Sequence, residues 1–315
     1  MHKILAIIPK IANKFTDYTF PVGAAYVVAS LKTAGFQVDC LNLSHHDTAL
    51  ENILKQNYQL DEYLLCITAG LSSQYPQVEH VVSVVQRLAS RLPIAVGGGL
   101  VSSLPELAVQ ELKADFGVIG EGEVTEVELA RALKDKTDPL EVAGLVVRDR
   151  ATGRISRTAA RQQIENLDDL PFPDFEALGF AEMLEWQLPT SSLFTYYYDR
   201  PRIAPIIASR SCPYNCTFCF HPLGKKYRQR SLGSIFSEID FMVKKYQANI
   251  IMVYDELFAE KKDRSRVVDF CTKMRQRNLK WIVQLRVDLV DEEMLKLFKE
   301  SGCIIISYGI ESGCQ

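Results

Sequence analysis

Residues 211–220 read SCPYNCTFCF and carry three cysteines, Cys212, Cys216 and Cys219, in a C-x3-C-x2-C spacing. Three thiolates so close together, on a loop that also holds a proline and an asparagine, can face one point. Soft thiolates suit zinc or an iron–sulfur cluster. A closed zinc site needs a fourth protein ligand. The nearby His221 is a poor candidate for it, because it follows almost directly after Cys219. The spacing therefore favours a [4Fe-4S] cluster with one open iron over a structural zinc site or three cysteines in a buried loop.

The same loop carries a family resemblance. With Phe218 directly before the last cysteine, the spacing resembles the signature of the radical S-adenosylmethionine (SAM) enzymes. The resemblance implies that SAM binds the open iron through its amino and carboxylate groups. It also implies that an electron from the reduced cluster cleaves SAM to methionine and a 5′-deoxyadenosyl radical.

The composition is that of an ordinary globular protein. The chain has 315 residues, enough for about two domains. Its net charge of −3 gives no electrostatic argument for nucleic acid as a partner. No run approaches the roughly 18 apolar residues of a membrane-spanning helix, and the N-terminus lacks the features of a signal peptide. Eight cysteines in a long chain of this type indicate metal or redox chemistry rather than disulfides. We therefore expect a cytoplasmic protein without a membrane span.

Residues 1–135 alternate short apolar runs with helical patterns. This alternation predicts a doubly wound parallel α/β sheet, Rossmann-like in its architecture. The five predicted strands begin near Ile4, Gln37, Tyr63, Ile94 and Phe116. In such sheets ligands bind beyond the carboxyl ends of the strands, so the loops that follow the strands are the candidate binding segments.

Glycines follow three of these strands and let a ligand approach the backbone closely. A triple glycine alone is a weak signal, because tight turns use it too. As a set with residues 21–23 and 34–36, these loops resemble the cobalamin-binding domain that precedes the barrel in one large group of radical SAM enzymes. The resemblance implies that a corrinoid contacts the candidate residues Gly70, Ser72, Gly97, Gly98, Gly99, Gly120, Glu121 and Gly122.

One departure from many cobalamin domains concerns histidine. Those domains carry Asp-x-His-x-x-Gly after the first strand, and the His becomes the lower cobalt ligand. Residues 10–20 contain no His, whereas His45 and His46 follow the second strand. The radical SAM group commonly lacks this ligand, so its absence fits the resemblance. For His45 and His46 the sequence favours a solvated loop over cobalt ligation.

Residues 136–200 are predicted to form a connector. A turn at 149–153 between two short strand-like runs predicts a β-hairpin. Residues 167–174 are predicted to be extended, because residues before proline avoid the helical conformation. The aromatic run at 195–198 favours packing between domains over lining a site.

Residues 201–315 are predicted to form the first part of a radical SAM (β/α) barrel. The strand at 203–208 leads into the cysteine loop, at the end where α/β barrels keep their active sites. The resemblance implies that Glu256, and more weakly Asp255, contact the amino end of SAM after strand two. It implies that Arg286, after strand three, pairs with the carboxylate, and that Glu311, after strand four, contacts the ribose or the amino end.

Two further predictions concern this second domain. The basic segment 225–231 resembles the family's entry into its first helix, with a solvated basic turn as the equal alternative for each arginine. Four strands are present where a radical SAM barrel uses six, so we expect a chain that is truncated after its fourth strand and belongs to a longer enzyme.

The preferred interpretation is a radical SAM enzyme that binds a [4Fe-4S] cluster, SAM and cobalamin. The resemblance implies methyl transfer to an unactivated carbon of a small molecule or natural product, with an electron donor such as flavodoxin or ferredoxin. One alternative is cyclisation or rearrangement without cobalamin, with the first domain as a docking module. Others are a truncated, non-catalytic cofactor-binding protein and, more distantly, a zinc-binding interaction protein.

Overall fold

A computed structural model describes residues 3–11, 20–190, 197–311 and 313. Most of the loop at 10–20, and the first two residues of the aromatic run at 195–198, lie outside these residues. The chain divides into two compact units. The first unit comprises the residues up to 164 together with 170–183, and the second comprises 165–169 together with the residues from 184 onward.

The first unit is built on one seven-stranded sheet. Its strands are β1 (Lys3–Ile8), β2 (Gln37–Asn42), β3 (Tyr63–Ala69), β4 (Ile94–Gly97), β5 (Phe116–Val118), β6 (Leu145–Arg148) and β7 (Ile155–Arg157). They lie in the order β2-β1-β3-β4-β5-β6-β7. The pairs among β1 to β5 are all parallel, which confirms the predicted doubly wound sheet.

Helices cover both faces of this sheet. They are α1 (Val22–Thr33), α2 (Leu50–Asn57), α3 (Tyr75–Leu88), α4 (Gly99–Ser103), α5 (Pro105–Leu112) and α6 (Gly122–Asp135). A further short helix, α7 (Phe180–Leu184), follows later in the chain. One core cluster includes α1 and α6 side chains, and the other includes side chains of α2 to α5. The sequence patterns did not predict α2 or α4. The two are short, and α4 begins inside the triple glycine, whose low helix propensity predicts a turn.

The predicted hairpin is present, but it extends the first sheet. Strand β6 pairs antiparallel with β5, and β7 pairs antiparallel with β6. The tip is fixed by Arg150, whose Nη2 donates to Asp115 Oδ2 at 2.6 Å and to the carbonyl of Leu92 at 2.9 Å. Asp115 also accepts from the backbone N–H of Ile94 at 2.8 Å. The hairpin of the connector is therefore part of the first compact unit.

A buried carboxyl group lies on the inner side of α6. Glu126 is only 4% exposed, and its Oε2 has no hydrogen-bond partner among the described residues. Burial raises the pKa of Glu126 to about 8, because an ionised carboxylate is poorly solvated in an apolar interior. The side chain is therefore protonated at neutral pH in the folded protein.

We expect Glu126→Gln to raise the free energy of unfolding at pH 7 by about 3 kcal/mol. Above its ordinary pKa of 4.5 the carboxyl ionises in the unfolded chain, whereas the folded chain keeps its proton up to about pH 8. The stability of the unaltered protein therefore falls as the pH rises through this window. The variant lacks that slope. Urea denaturation from pH 5 to 8 measures this pH dependence of the free energy of unfolding, with Glu111→Gln at an exposed position as the control. Parallel pH profiles for Glu126→Gln and the unaltered protein would contradict the raised pKa of Glu126.

The second unit is built on a four-stranded parallel sheet. The strands of this unit are β8 (Ile203–Ile206), β9 (Ser209–Arg210), β10 (Arg228–Gln229), β11 (Ile250–Val253), β12 (Lys280–Leu285) and β13 (Cys303–Tyr308). The short strands β9 and β10 pair with each other in a separate two-stranded ladder. The helices are α8 (Leu232–Tyr246), α9 (Arg264–Gln276) and α10 (Glu292–Glu300). The sheet order is β13-β12-β11-β8, with each neighbouring pair parallel. One helix lies between each pair of consecutive sheet strands, which confirms the predicted succession of β and α elements.

An aromatic cluster fills the helix side of this sheet. Trp281 of β12 is fully buried and packs edge-on against Phe270 and Phe298, with ring centroids 5.2 and 5.1 Å away. These contacts fix α9 and α10 on β12, so the loop after β12 starts from a rigid base. Across the described segments, no helix has the length and apolar character needed to cross a membrane.

Candidate functional site

The cysteine loop begins at a constrained residue. Ser211 is fully buried and adopts φ +67°, a conformation that is costly for a residue with a side chain. Its hydroxyl donates to the carbonyl of Leu223 at 3.1 Å and accepts from Arg228 Nη2 at 3.2 Å. The short ladder between β9 and β10 lies on either side of the loop. These contacts fix the direction in which the chain runs from β9 to Cys212.

The three cysteines are free thiols on the surface of this loop. Cys212 and Cys216 are partly buried and Cys219 is exposed. The backbone N–H of Cys219 donates to the carbonyl of Cys216 at 3.1 Å, which closes a tight turn. Burial raises the pKa of the Cys212 thiol, and a hydrogen bond from the backbone of Tyr214 opposes that rise. The turn brings three thiols onto one short, structured segment.

The donor set discriminates between the two metal interpretations. Within the described ranges, no three His, Cys, Asp or Glu side chains are grouped as ligands of a metal ion. A closed tetrahedral zinc site requires four protein ligands that converge on one ion. In a cubane cluster each thiolate binds a different iron, so the three sulfurs need not converge on one atom. Three thiols without a fourth ligand fit a three-cysteine [4Fe-4S] cluster better than closed zinc.

Arg286, directly after β12, reaches the cysteine loop. Its guanidinium carbon lies 3.8 Å from the ring centroid of Tyr214, and Nη1 lies 3.7 Å from the sulfur of Cys216. On the other side, Nε and Nη2 donate to the carboxylate of Asp288 at 3.0 and 3.4 Å. The structure thus brings one predicted site residue into contact with a predicted cluster ligand.

Glu256 lies three residues after β11, at the same carboxyl end of the parallel sheet as Arg286. Its Oε2 is 3.5 Å from Nδ1 of His221, an electrostatic contact beyond hydrogen-bond distance, and His221 is itself only 8% exposed. Burial raises the pKa of Glu256, while His221 and Arg228 oppose that rise. The Glu256 charge also contributes to the raised pKa of Cys212. Glu256, His221 and Cys212 therefore share one electrostatic neighbourhood.

Asp255 has a different environment from Glu256. Its side chain is 5% exposed and accepts from the backbone N–H of Ala208 at 2.7 Å and from the hydroxyl of Ser209 at 2.8 Å. Burial raises the pKa of Asp255 to about 7. The carboxylate joins the end of β11 to the chain that enters β9, and both its oxygens are occupied. The weaker of the two predictions at this position is therefore not supported, and Asp255 supports the loop from beneath.

Glu311 follows β13 and is exposed, with φ +58°. Within the part of the chain that the structure describes, it makes no hydrogen bond or ion pair. Its Oε1 lies 2.7 Å from the position that a Cβ on Gly309 would occupy, so a side chain at Gly309 would displace it. The structure places Glu311 at the carboxyl end of β13 but does not bring it into contact with Arg286 or Glu256.

The basic segment 225–231 is not a solvated turn at its arginines. Arg228 is 5% exposed and donates from Nε to the carbonyl of Lys226 at 3.0 Å. Arg230 is 4% exposed and donates to Glu238 Oε2 at 2.5 Å and to the carbonyl of Ile207 at 3.0 Å. The two arginines lie on either side of β10 residue Gln229 and anchor the far end of the cysteine loop. The solvated alternative is excluded for both.

We expect Arg230→Ala to lower the free energy of unfolding of the second unit by about 3–5 kcal/mol. The change leaves the carboxylate of Glu238, whose side chain is 1% exposed, buried without its partner. The matched control is Arg264→Ala, which removes exposed ion pairs with Asp291 and Glu293 and should cost less than about 1 kcal/mol. Denaturant titration of both variants measures the difference. Equal losses would show that the buried pair has no special weight.

Two glycine loops of the first unit touch each other through their backbones. Gly98 adopts φ +84° and ψ −169°, a region essentially restricted to glycine. A Cβ there would lie 2.7 Å from the carbonyl oxygen of Gly70. The N–H of Leu100 donates to that carbonyl at 2.9 Å, and the N–H of Gly70 donates to the carbonyl of Gly97 at 3.3 Å. Gly99 continues the contact, since its Cβ would lie 3.1 Å from the side chain of Leu71.

The other candidate residues of the first unit lie after β3 and β5, and Glu121 differs from the rest because its side chain is buried. Ser72 is exposed beside the Gly70 turn. The N–H of Gly120 donates to the hydroxyl of Ser102 at 2.9 Å, which joins the loop after β5 to helix α4. Gly122 begins α6. Glu121, in contrast, is 7% exposed, and its Oε2 accepts from the backbone N–H of Ile164 at 2.9 Å. Its carboxylate therefore fastens the chain that follows the hairpin.

The interpretation of His45 as a solvated loop residue is wrong. Its side chain is only 7% exposed, and Nδ1 lies 2.7 Å from Oε2 of Glu182. The ring also packs against Gly179, whose Cβ would lie 2.9 Å from His45 Cε1. The cause is the segment 170–183, which packs over the loop after β2. His46 is exposed, as predicted.

The sequence patterns do not predict three residues that lie beside the site, namely Tyr214, His221 and Asp288. Tyr214 lies inside the cysteine spacing, where an aromatic ring carries no ligand signal. Asp288 follows Arg286 by two residues, and this spacing could have indicated a local ion pair. The position of His221 close after Cys219 indicates only a candidate metal ligand.

The family comparisons match both units. The model described as "B12 binding domain" matches residues 9–130. The model described as "Radical SAM superfamily" matches residues 206–315. Together the two models include the glycine loops and the cysteine loop described above.

Two curated relatives match almost the whole chain. The first is the "Uncharacterized methyltransferase PH0819" of Pyrococcus horikoshii, 28% identical over 93% of this chain and 61% of the relative. The second is the anaerobic magnesium-protoporphyrin IX monomethyl ester cyclase of Rubrivivax gelatinosus, 26% identical over 94% of this chain and 52% of the relative. The chain thus spans less than two thirds of the length of these relatives.

The fold also matches a solved structure. The radical SAM methyltransferase TsrM of Kitasatospora setae, described with cobalamin and a [4Fe-4S] cluster bound, superimposes with a TM-score of 0.74 at 18% identity. The match covers 98% of this chain and 59% of that one. The likeness concerns the fold alone. The two domain matches, rather than this likeness, place the chain in the cobalamin-binding radical SAM family, with a B12-binding domain followed by a radical SAM domain.

Proposed function

We propose that the protein is a radical SAM enzyme whose cysteines Cys212, Cys216 and Cys219 hold a [4Fe-4S] cluster. One observation carries the proposal, namely the reach of Arg286 to the cysteine loop. A guanidinium 3.7 Å from a cysteine sulfur can bind the carboxylate of a ligand that is chelated beside that cysteine. The proposal therefore requires the open iron of the cluster to lie next to the guanidinium of Arg286, which would bind the carboxylate.

The residues around the loop would bind SAM as a set. When bound, the cluster would supply an open iron and the electron for reductive cleavage of SAM. Arg286 would pair with the carboxylate of SAM. Glu256 would accept hydrogen bonds from its ammonium group, since half-burial strengthens such a charge-assisted contact. Glu311 would contact the ribose or the ammonium from the end of β13. The role of these side chains is to orient SAM and exclude side reactions.

The first unit would bind cobalamin at its glycine loops. Backbone without side chains at Gly70, Gly98 and Gly99 lets a flat macrocycle approach the carboxyl edge of the sheet. The hydroxyl of Ser72 and the backbone of residues 120–122 would add polar contacts. When bound, cobalamin would supply a methyl group. We therefore favour methyl transfer to an unactivated carbon of a small molecule or natural product, with reducing equivalents from a flavodoxin- or ferredoxin-like donor.

A second candidate is radical cyclisation without methyl transfer. It is favoured by the relative from Rubrivivax gelatinosus, which is named a cyclase and matches 94% of this chain. Both candidates share the cysteine loop and SAM, and they differ in the fate of the methyl group of SAM.

The products from SAM distinguish the candidates. The protein is reconstituted anaerobically with iron, sulfide and hydroxocobalamin, then incubated with SAM and dithionite. Methyl transfer predicts 5′-deoxyadenosine together with S-adenosylhomocysteine, because the methyl group that leaves SAM would be accepted by the added cobalamin. Cyclisation predicts 5′-deoxyadenosine alone. Formation of neither product by protein that holds about four irons per chain would contradict the proposed function.

A further inference from the structure

The guanidinium of Arg286 is held on three sides before any ligand binds. The ring of Tyr214 covers one face, with 3.8 Å between the ring centroid and the guanidinium carbon. The carboxylate of Asp288 receives hydrogen bonds from Nε and Nη2 at 3.0 and 3.4 Å. Nη1 points to the sulfur of Cys216 at 3.7 Å.

This arrangement leaves a defined part of the guanidinium available. Arginine has five N–H donors in a planar fork, and Asp288 takes the edge formed by Nε and Nη2. Tyr214 fixes the plane through a cation–π contact. The remaining N–H groups of Nη1 and Nη2 lie on the edge nearest to Cys216. A long side chain that is already immobilised loses less conformational entropy when it binds a ligand.

We infer that Tyr214 and Asp288 are positioning residues, which hold Arg286 so that its free edge receives the carboxylate of SAM beside the cysteine loop. The inference rests on the proposed function and adds two residues to it. The aromatic ring, not the hydroxyl, carries the contact of Tyr214. A phenylalanine at this position therefore keeps the role, whereas a leucine loses it.

The test is equilibrium binding of SAM and of decarboxylated SAM to the anaerobically reconstituted protein. We expect Tyr214→Leu to weaken SAM binding about 5- to 10-fold, the range of one cation–π contact. Tyr214→Phe should bind SAM as the unaltered protein does. Asp288→Asn should weaken binding about threefold. None of the three should change the affinity for decarboxylated SAM, which offers Arg286 no carboxylate.

The iron content of each variant separates positioning from damage to the loop. About four irons per chain in Tyr214→Leu, together with the selective loss for SAM, supports the inference. Equal affinities for Tyr214→Leu and Tyr214→Phe would overturn the role of Tyr214, and so would loss of iron in Tyr214→Leu. Tighter SAM binding by Asp288→Asn would show that Asp288 competes with the ligand. If the unaltered protein holds iron but binds no SAM, the proposed function falls together with the inference, whereas the other outcomes affect the inference alone.

Discussion

Replacing Cys216 by Ala is expected to reduce the iron content of the reconstituted protein from about four to below about one per chain, because a [4Fe-4S] cluster with two protein ligands is poorly retained. SAM cleavage should fall to the background level in the same sample. The partly buried Cys216 is also the cysteine that Arg286 contacts at 3.7 Å. Its loss therefore removes both a ligand and a contact of the proposed carboxylate site. Iron analysis and quantification of 5′-deoxyadenosine measure the two effects.

The control for this substitution lies in the same unit. Cys303 is on β13 and its thiol is directed to the carbonyl of Ile305 at 3.5 Å. Burial raises the pKa of Cys303 to about 12, so it remains a thiol under all ordinary conditions. Cys303→Ala should keep the iron content of the unaltered protein. If both variants retain four irons, or if Cys303→Ala loses them, the cluster is not held by the cysteine loop.

The second large effect is expected from Gly98→Ala. The backbone of Gly98 is in a region that residues with a side chain rarely adopt, and the added methyl group would lie 2.7 Å from a backbone oxygen of Gly70. We expect the free energy of unfolding of the first unit to fall by about 3 kcal/mol, from backbone strain and overpacking together. Hydroxocobalamin binding should weaken by at least about tenfold, because the two loops are forced apart at the proposed corrinoid surface.

Gly153 provides the matched control for Gly98. It lies in the hairpin turn with φ +70°, and no atom lies within 4 Å of the position of an added Cβ. Gly153→Ala therefore introduces strain at a positive φ without a clash, at a cost of about 1 kcal/mol. Corrinoid binding should be unchanged. Unaltered corrinoid binding by Gly98→Ala, measured by UV–visible titration, would contradict the assignment of the glycine loops.

Local patterns were sufficient to predict the strands of the parallel sheets and the longer helices between them. Most strands of the parallel sheets are short apolar runs. The partner of the hairpin could not be predicted, because pairing of β6 with β5 depends on side chains far apart in sequence. Arg150 and Asp115, which fix its tip, are 35 residues apart. Helix α2 was missed because eight residues give little more than two turns of periodicity.

The candidate site was predictable where chemistry is encoded in spacing or in the end of a strand. The three cysteines come from spacing, and Arg286 and Glu256 come from the ends of β12 and β11. The contact between Arg286 and Cys216 joins residues 70 positions apart, so the sequence alone could not reveal it. The burial of His45 was equally hidden, since it depends on Glu182 and Gly179 in a later segment. Tertiary packing, rather than local propensity, decided each of these cases.

Electron paramagnetic resonance of the dithionite-reduced, reconstituted protein tests the central claim most directly. The claim is that three cysteines hold a [4Fe-4S] cluster whose open iron binds SAM. It predicts the signal of a reduced [4Fe-4S] cluster whose g values change when SAM is added. A reduced cluster signal that SAM leaves unchanged, or the absence of any cluster signal from protein that holds about four irons per chain, would contradict it.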